Sequence, residues 1–408
     1  MSQPSPFLAT AIEELRDLIA FDTTSRNSNL PLIDHVEQRL TALGAHCERI
    51  PNSDGTKANL HAIIGPMVDG GVVLSGHTDV VPVDGQPWTS DPWTLTDKGD
   101  GRLYGRGTCD MKGFSACILA LAPMFAAAQL KRPVHIALSF DEEIGCIGAP
   151  AMIEKIMAGP VKPSSVIVGE PTDMKVVTAH KGLFSMVVKL RGREAHSSLV
   201  RDGACAVTHA VPLMQYLVDC AAEMEAAAPD DSPYTPPFGT LTIGEMKGGT
   251  ALNILALDAQ FASLIRPAPW DDPHAIEAGL RERAAAVEAK MRESVPEASV
   301  TVTVRSNVPA FAREADGAAE RLARQLTGDN STRVVSYGTE AGQFQAAGLS
   351  VVVCGPGSIT QAHQPDEFVA IDQLDQCCGF MERLVRVLGG GCSIAFLPRI
   401  DGEVGRRV

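Results

Sequence analysis

The chain has 408 residues, a formal net charge of −14, 45% hydrophobic and 21% charged residues. That length passes the size at which one hydrophobic core stops growing, so two domains are expected, and the composition supports a sizeable core while excluding large-scale disorder. The 35 Lys and Arg are scattered through an acidic chain, which disfavours nucleic acid or an anionic membrane as a partner and leaves a small molecule or a metal.

The opening stretch MSQPSPFLATAIEELRDLIAF carries acids inside its apolar run and no basic flank, so it does not read as a secretory signal. No run of about 18 apolar residues occurs, and a cytoplasmic location is expected. Ten cysteines, from Cys47 to Cys392, form no CxxC pair; in such a chain they are expected to be small buried hydrophobes and not sulfur ligands.

Taken in order, residues 7–20 and 31–43 have helical periodicity, with Gly44 as a stop. Short apolar runs follow at 71–75, 134–140 and 165–168, separated by helical patterns near 111–129 and 148–158. That alternation predicts an α/β sheet, buried on both faces and mostly parallel. From Lys181 the texture changes: 182–190 alternates like a strand with one wet face, 203–227 is an Ala-rich helix, 238–246 and 257–265 are strand-like, and a helix lies near 273–293. This β-α-β-β-α-β order predicts an inserted two-layer α+β domain of the ferredoxin-like kind. The expected division is a discontinuous domain of residues 1–181 and 307–408 with residues 182–306 inserted, and 349–354 is a further buried strand of the larger part.

Five segments carry chemistry. In Leu74-Ser-Gly-His77-Thr-Asp79-Val-Val-Pro82, residues two apart on extended backbone face the same side, so Asp79 is expected to accept from one His77 ring nitrogen while the other faces a metal. Gly105-Arg-Gly-Thr-Cys-Asp110-Met-Lys-Gly113 opens a helix without the spacing of a phosphate loop; its glycines let backbone approach a site, and Asp110 reads equally as a ligand or a helix cap. Ser139-Phe-Asp-Glu142-Glu143-Ile-Gly145 follows a buried run, where adjacent acids on extended backbone point to opposite sides, so that one binds metal and the other moves protons. Glu170 in Val168-Gly-Glu170-Pro-Thr172 and His363 in Gly355-Pro-Gly-Ser-Ile-Thr-Gln-Ala-His363-Gln-Pro-Asp366-Glu367 also follow apolar runs. Each segment is weak alone. Together, two histidines and three metal-capable acids at strand carboxyl ends, where open α/β sheets build ligand sites, point to a metal centre.

With these residues assembled, the chain resembles the zinc-dependent aminoacylase and carboxypeptidase family of co-catalytic metallohydrolases, through GHTDVVP, RGTCDMKGF, DEE, GEPT and an AHxxDE-like end in that order. The resemblance implies two divalent metal ions, zinc first and cobalt or manganese possible, bridged by Asp110, with His77 and Glu170 on one ion and Glu143 and His363 on the other. Glu142 would be the general base and Asp79 the orienter of His77. In the inserted domain, Gly192-Arg-Glu-Ala-His196-Ser-Ser198 resembles a segment whose histidine reaches a partner subunit's active site, which implies a homodimer and an oxyanion donor. Asn253 and Arg266 resemble contacts to a substrate carboxylate, although Leu255 and Ala256 stand where relatives often have proline. The inserted domain would thus serve dimerisation and closure as a lid.

Within that family, His180-Lys-Gly182, Tyr337-Gly-Thr-Glu-Ala-Gly342 and the segment around His363 lie nearest to the N-acyl amino-acid deacetylase branch; the desuccinylase branch differs around the last histidine. The expected substrate is therefore a small N-acyl amino acid. A desuccinylase or another N-acyl hydrolase is the alternative, and a non-catalytic metal-binding scaffold is the alternative from outside the enzymes.

Overall fold

The computed structural model describes residues 3–389. Cys392 and the end of the expected 307–408 segment lie outside the described residues. The larger part is built on an eight-stranded sheet whose four inner strands, Val134–Ser139, Gly71–His77, Pro163–Pro171 and Ser350–Gly355, run parallel in that spatial order. Successive residues divide between two cores, as period-2 geometry requires. Leu74, Ile136, Ile167 and Val352 face a core with the helices Leu8–Ile19, Lys112–Ala127 and Ile371–Gly389. Val73, Ala137, Val166 and Val353 face another, with Met152 and Ile156 of helix Ala149–Ala158 and with Phe344. Covering both faces is what lets these strands read as unbroken apolar runs.

The antiparallel hairpin His46–Pro51 and Ala58–Ile64 occupies one edge of this sheet and pairs with Val134–Ser139. Sequence periodicity gave no sign of it, because Asn59 and His61 interrupt the apolar run of a strand that is buried throughout. Tertiary contacts explain both residues. Asn59 donates to the Gly148 carbonyl and accepts from Phe140 N–H, and His61 stacks on His135 of the neighbouring strand with ring nitrogens 3.0 Å apart. At the other edge Val177–His180 and Arg333–Val335 complete the sheet.

A four-stranded antiparallel sheet, ordered Thr240–Gly248, Asp258–Arg266, Leu183–Arg191 and Ser299–Val308, has its own core with helices Ala206–Ala226 and Pro273–Arg292. Its chain order is β-α-β-β-α-β, the ferredoxin-like arrangement expected from the sequence. One face is dry: Phe184, Met186, Val188 and Phe261 pack on Leu213, Leu217 and Leu280. The third sheet was not expected. It is small and antiparallel, with Phe368–Ala370, Arg102–Tyr104 and Thr96–Asp97, strands too short for any periodic signal.

Candidate active site

His77 is the last residue of Gly71–His77, Glu142 and Glu143 follow Val134–Ser139, and Glu170 lies near the end of Pro163–Pro171. Because these strands are parallel neighbours, their carboxyl ends bring the three segments to one place. The loop after Ser350–Gly355 delivers His363. Asp110 departs from the expectation that every segment ends a strand of the main sheet. It lies in the loop between Arg102–Tyr104 of the small sheet and helix Lys112–Ala127.

The side chains form two groups sharing Asp110. Nε2 of His77 is 3.0 Å from Asp110 Oδ1 and 3.8 Å from Glu170 Oε1. Nε2 of His363 is 3.3 Å from Asp110 Oδ2 and 2.9 Å from Glu143 Oε2. Glu142 lies close to the first group: one ligand atom each from His77, Glu142 and Glu170 fall within 4.8 Å of one another. His77, Asp110 and Glu170 are buried, whereas the His363 side chain is 50% exposed and forms the rim.

Asp79 corrects its expected role. The Nδ1–H of His77 donates to the Asp79 backbone carbonyl at 2.8 Å, while the Asp79 carboxylate stands 3.8 Å away. That carboxylate accepts from the Ser25 hydroxyl and from the backbone N–H groups of Glu142 and Glu143. It therefore orients the two acids, and the carbonyl orients the imidazole. The acids themselves sit in a turn entered through Asp141 at φ 55, not on extended backbone, and a Lys57–Asp141 ion pair anchors that turn.

The electrostatics follow from crowding four carboxylates into a buried space. Burial pushes Glu142 up to about 8 and Glu143 up to about 7, with neighbouring acids adding to both shifts. Burial likewise drives Glu170 well above its ordinary value. His363 is held up at about 10 by its hydrogen bonds to Asp110 and Glu143. Burial alone would lower His77, but Asp110, Glu170 and Glu142 raise it. Among the described residues, no lysine or arginine pairs with these acids; the two histidines are their only ion-pair partners. Carboxylates and imidazoles in two groups around one shared aspartate are a donor set suited to a pair of divalent cations.

Several supporting residues escaped the sequence reading. The carboxylate of Glu367 accepts from the N–H groups of Gly107, Cys109 and Asp110 and pairs with Arg106 at 2.6 Å, both side chains 1% exposed. It thereby holds the loop that presents Asp110. Glu340 is buried beneath the site against Ser75 and Ser139, and burial pushes it up to about 7. The Cys146 thiol donates to Glu142 Oε1 at 3.1 Å. Glu367 and Glu340 stand inside motifs noted above, but nothing in their spacing marks them as props. Two tight approaches add to the loop's definition: Gly107 has φ 85, and a Cβ there would meet Val80 at 2.8 Å, while a Cβ on Gly357 would meet Cys109 Sγ at 2.5 Å.

Of the residues expected in the inserted segment, Arg266 reaches the site. It lines a cavity of about 140 Å³ together with Asp110, Glu142, Glu143, Glu170, Leu183, Val308, Tyr337 and His363. Burial lowers its guanidinium pKa, with Cys146 and Glu142 opposing. His196 and Asn253 do not line that cavity. They are exposed and adjacent to each other, Ser197 N–H donating to the Asn253 carbonyl.

Comparison with known proteins agrees with this arrangement. Residues 73–387 match the sequence model of Peptidase family M20/M25/M40. The chain is 37% identical over 403 residues to an acetylornithine deacetylase of Myxococcus xanthus, covering 96% of this chain and 100% of that one. It is 33% identical over 386 residues to an acetylornithine deacetylase of Proteus mirabilis, covering 93% and 96%. The crystal structure of an M20 family metallo-carboxypeptidase from Sulfolobus solfataricus superposes with a TM-score of 0.70 at 18% identity, over 94% of this chain and 99% of that one. The chain belongs to Peptidase family M20/M25/M40 and is a metal-dependent amide hydrolase.

Proposed function

We propose that this enzyme hydrolyses N2-acetyl-L-ornithine to L-ornithine and acetate, a step of arginine biosynthesis, as a cytoplasmic homodimer. The observation that carries the reading is the doubled acid and histidine cluster sharing Asp110, in a chain 37% identical to a protein named for that reaction. His77, Asp110 and Glu170 would hold one divalent ion, and Asp110, Glu143 and His363 the other. Zinc suits this mixture of imidazole and carboxylate. When bound, the ions supply polarisation of the amide carbonyl and a more acidic water.

Glu142 is the group left for proton transfer. Burial and the neighbouring acids raise its pKa, and the positive charge of bound ions would lower it towards the range of a base that takes the proton of the attacking water and returns it to the departing amine. Asp79 holds the Glu142 backbone in place. Arg266 takes the substrate carboxylate with two parallel donors, and a partner chain's histidine at the position of His196, beside Asn253, donates to the developing oxyanion. The exposure of Leu199, Val200, Leu252 and Ile254 around His196 favours a surface that meets a second copy.

The test is a panel of N-acetylornithine, N-succinyl-diaminopimelate and other N-acyl amino acids, assayed with added zinc or cobalt. The proposal expects the largest kcat/KM for N-acetylornithine. A larger value for the succinylated substrate would overturn it in favour of a desuccinylase.

A further inference from the structure

Away from the hydrolytic cluster, the first two helices hold a second group of metal-capable side chains. Glu14 and Asp17, one turn apart on Leu8–Ile19, meet His35 of Leu30–Ala42. Each offers one ligand atom, and the three atoms lie within 4.8 Å of one another. Glu14 is 2% exposed. One of its oxygens, Oε1, is taken by Arg39, but Oε2 is buried with no hydrogen-bond partner, and Nε2 of His35 is buried with none either.

Two such orphans in one place need an explanation. A buried polar atom without a partner costs about 1–3 kcal/mol, and a hydrogen bond between them would remove that cost, yet none forms. One divalent cation would satisfy both. Nitrogen and oxygen ligands stand about 2.0–2.2 Å from zinc, so two of them at a tetrahedral angle are about 3.3–3.6 Å apart. The observed atoms lie within 4.8 Å of one another, so closing the group onto an ion needs a contraction of up to about 1.5 Å, shared between the side chains. Asp17, exposed at the mouth of the group, supplies a third ligand and the route from solvent.

We infer that Glu14, Asp17 and His35 form a further divalent-metal site of the zinc class, separate from the cluster around Asp110. One imidazole with two carboxylates favours zinc or cobalt over magnesium or calcium, which prefer all-oxygen surroundings. Burial lowers the pKa of His35, with Arg39 contributing, and a neutral imidazole is the form that ligates. The Arg39 charge beside Glu14 opposes the ion, and three protein ligands leave the rest of its shell to water, so the site binds more weakly and exchanges faster than a closed four-ligand site. Its ion would tie the two helices together where His35 already packs against Phe21, ring centroids 5.6 Å apart.

The test compares the full-length wild type with His35→Gln and Asp17→Asn. Each protein is dialysed against a series of free zinc concentrations, and zinc per chain is read by elemental analysis. Both variants should saturate one equivalent below the wild type with unchanged kcat/KM, and zinc should raise the Tm of the wild type more than theirs. Equal zinc content in all three proteins across the series overturns the site. The comparison is a difference between proteins, so it holds whatever number of ions the hydrolytic cluster binds. Asp17 is exposed, so Asp17→Asn carries the test if His35→Gln fails to fold.

Discussion

Glu142 and Glu143 are neighbours in the chain, yet their surroundings assign them different tasks. Glu143 shares His363 with Asp110, whereas Glu142 accepts from the Cys146 thiol and forms no ion pair among the described residues. Glu142→Ala should therefore lower kcat by at least about a hundredfold, the usual size of a lost acid–base group, while zinc per chain stays at the wild-type level. Elemental analysis beside the assay decides it, and loss of both ions would make Glu142 a ligand. At this scale the sequence was generous about identity and poor about partners. His77, Asp110, Glu143, Glu170 and His363 could be named as candidate ligands because few residue types ligate metal, and the fold brings them together. That the Asp79 carbonyl, and not its carboxylate, meets His77 depends on a backbone path that the two-residue alternation of a strand does not describe.

Elements decide what holds those residues still. The loop carrying Asp110 hangs from Glu367, whose carboxylate accepts three backbone N–H groups and faces the fully buried Arg106. Removing one partner of a buried pair strands the other, at a cost of about 3–5 kcal/mol. Glu367→Gln should thus lower the Tm and weaken zinc retention together, because the lost charge leaves Arg106 uncompensated and slackens the loop; an unchanged Tm would deny Glu367 this role. The edge hairpin yields a second expectation. Burial lowers His61 to about 4 and His135 to about 3, against an ordinary value near 6.5, so the unfolded chain binds more protons than the folded one between those limits. Stability should then rise with pH from about 3 to about 6.5 and stay full above it, a swing on the order of 3 kcal/mol for His61 and about 5 kcal/mol for His135. Urea midpoints of wild type and His135→Leu, measured from pH 7 to pH 5, isolate this term, since acid loss of metal affects both proteins equally. The wild type should lose more stability over that range, and parallel curves would sink the claim. Parallel strands were legible here because burial on both faces leaves an unbroken apolar run. The edge hairpin and the small sheet were not, because Asn59 and His61 are satisfied by partners distant in sequence and three-residue strands have no period to read.

At the scale of the whole molecule, the cavity takes Glu142, Glu143 and Glu170 from the carboxyl ends of the parallel strands, Asp110 from the loop after Arg102–Tyr104, and Leu183, Arg266 and Val308 from the four-stranded sheet. The switch of texture at Lys181 made that second sheet legible, but not which of its residues face the cavity. Arg266 does; His196 and Asn253 lie exposed on a surface that also carries Leu252 and Ile254. If that surface docks on a second copy, a given site draws Glu142 from one chain and His196 from the other. His196→Ala and Glu142→Ala homodimers would each be inactive. Mixed and reassembled, a heterodimer has one site with both defects and one with neither, because each chain repairs the other's loss. Random pairing makes about half the dimers mixed, each with one working site of two, so activity should return to roughly a quarter of wild type. Neither parent alone should recover on the same treatment. Heterodimers isolated with two affinity tags and still inactive would place His196 outside the partner's site and leave Arg266 as the inserted domain's charged contact to the substrate.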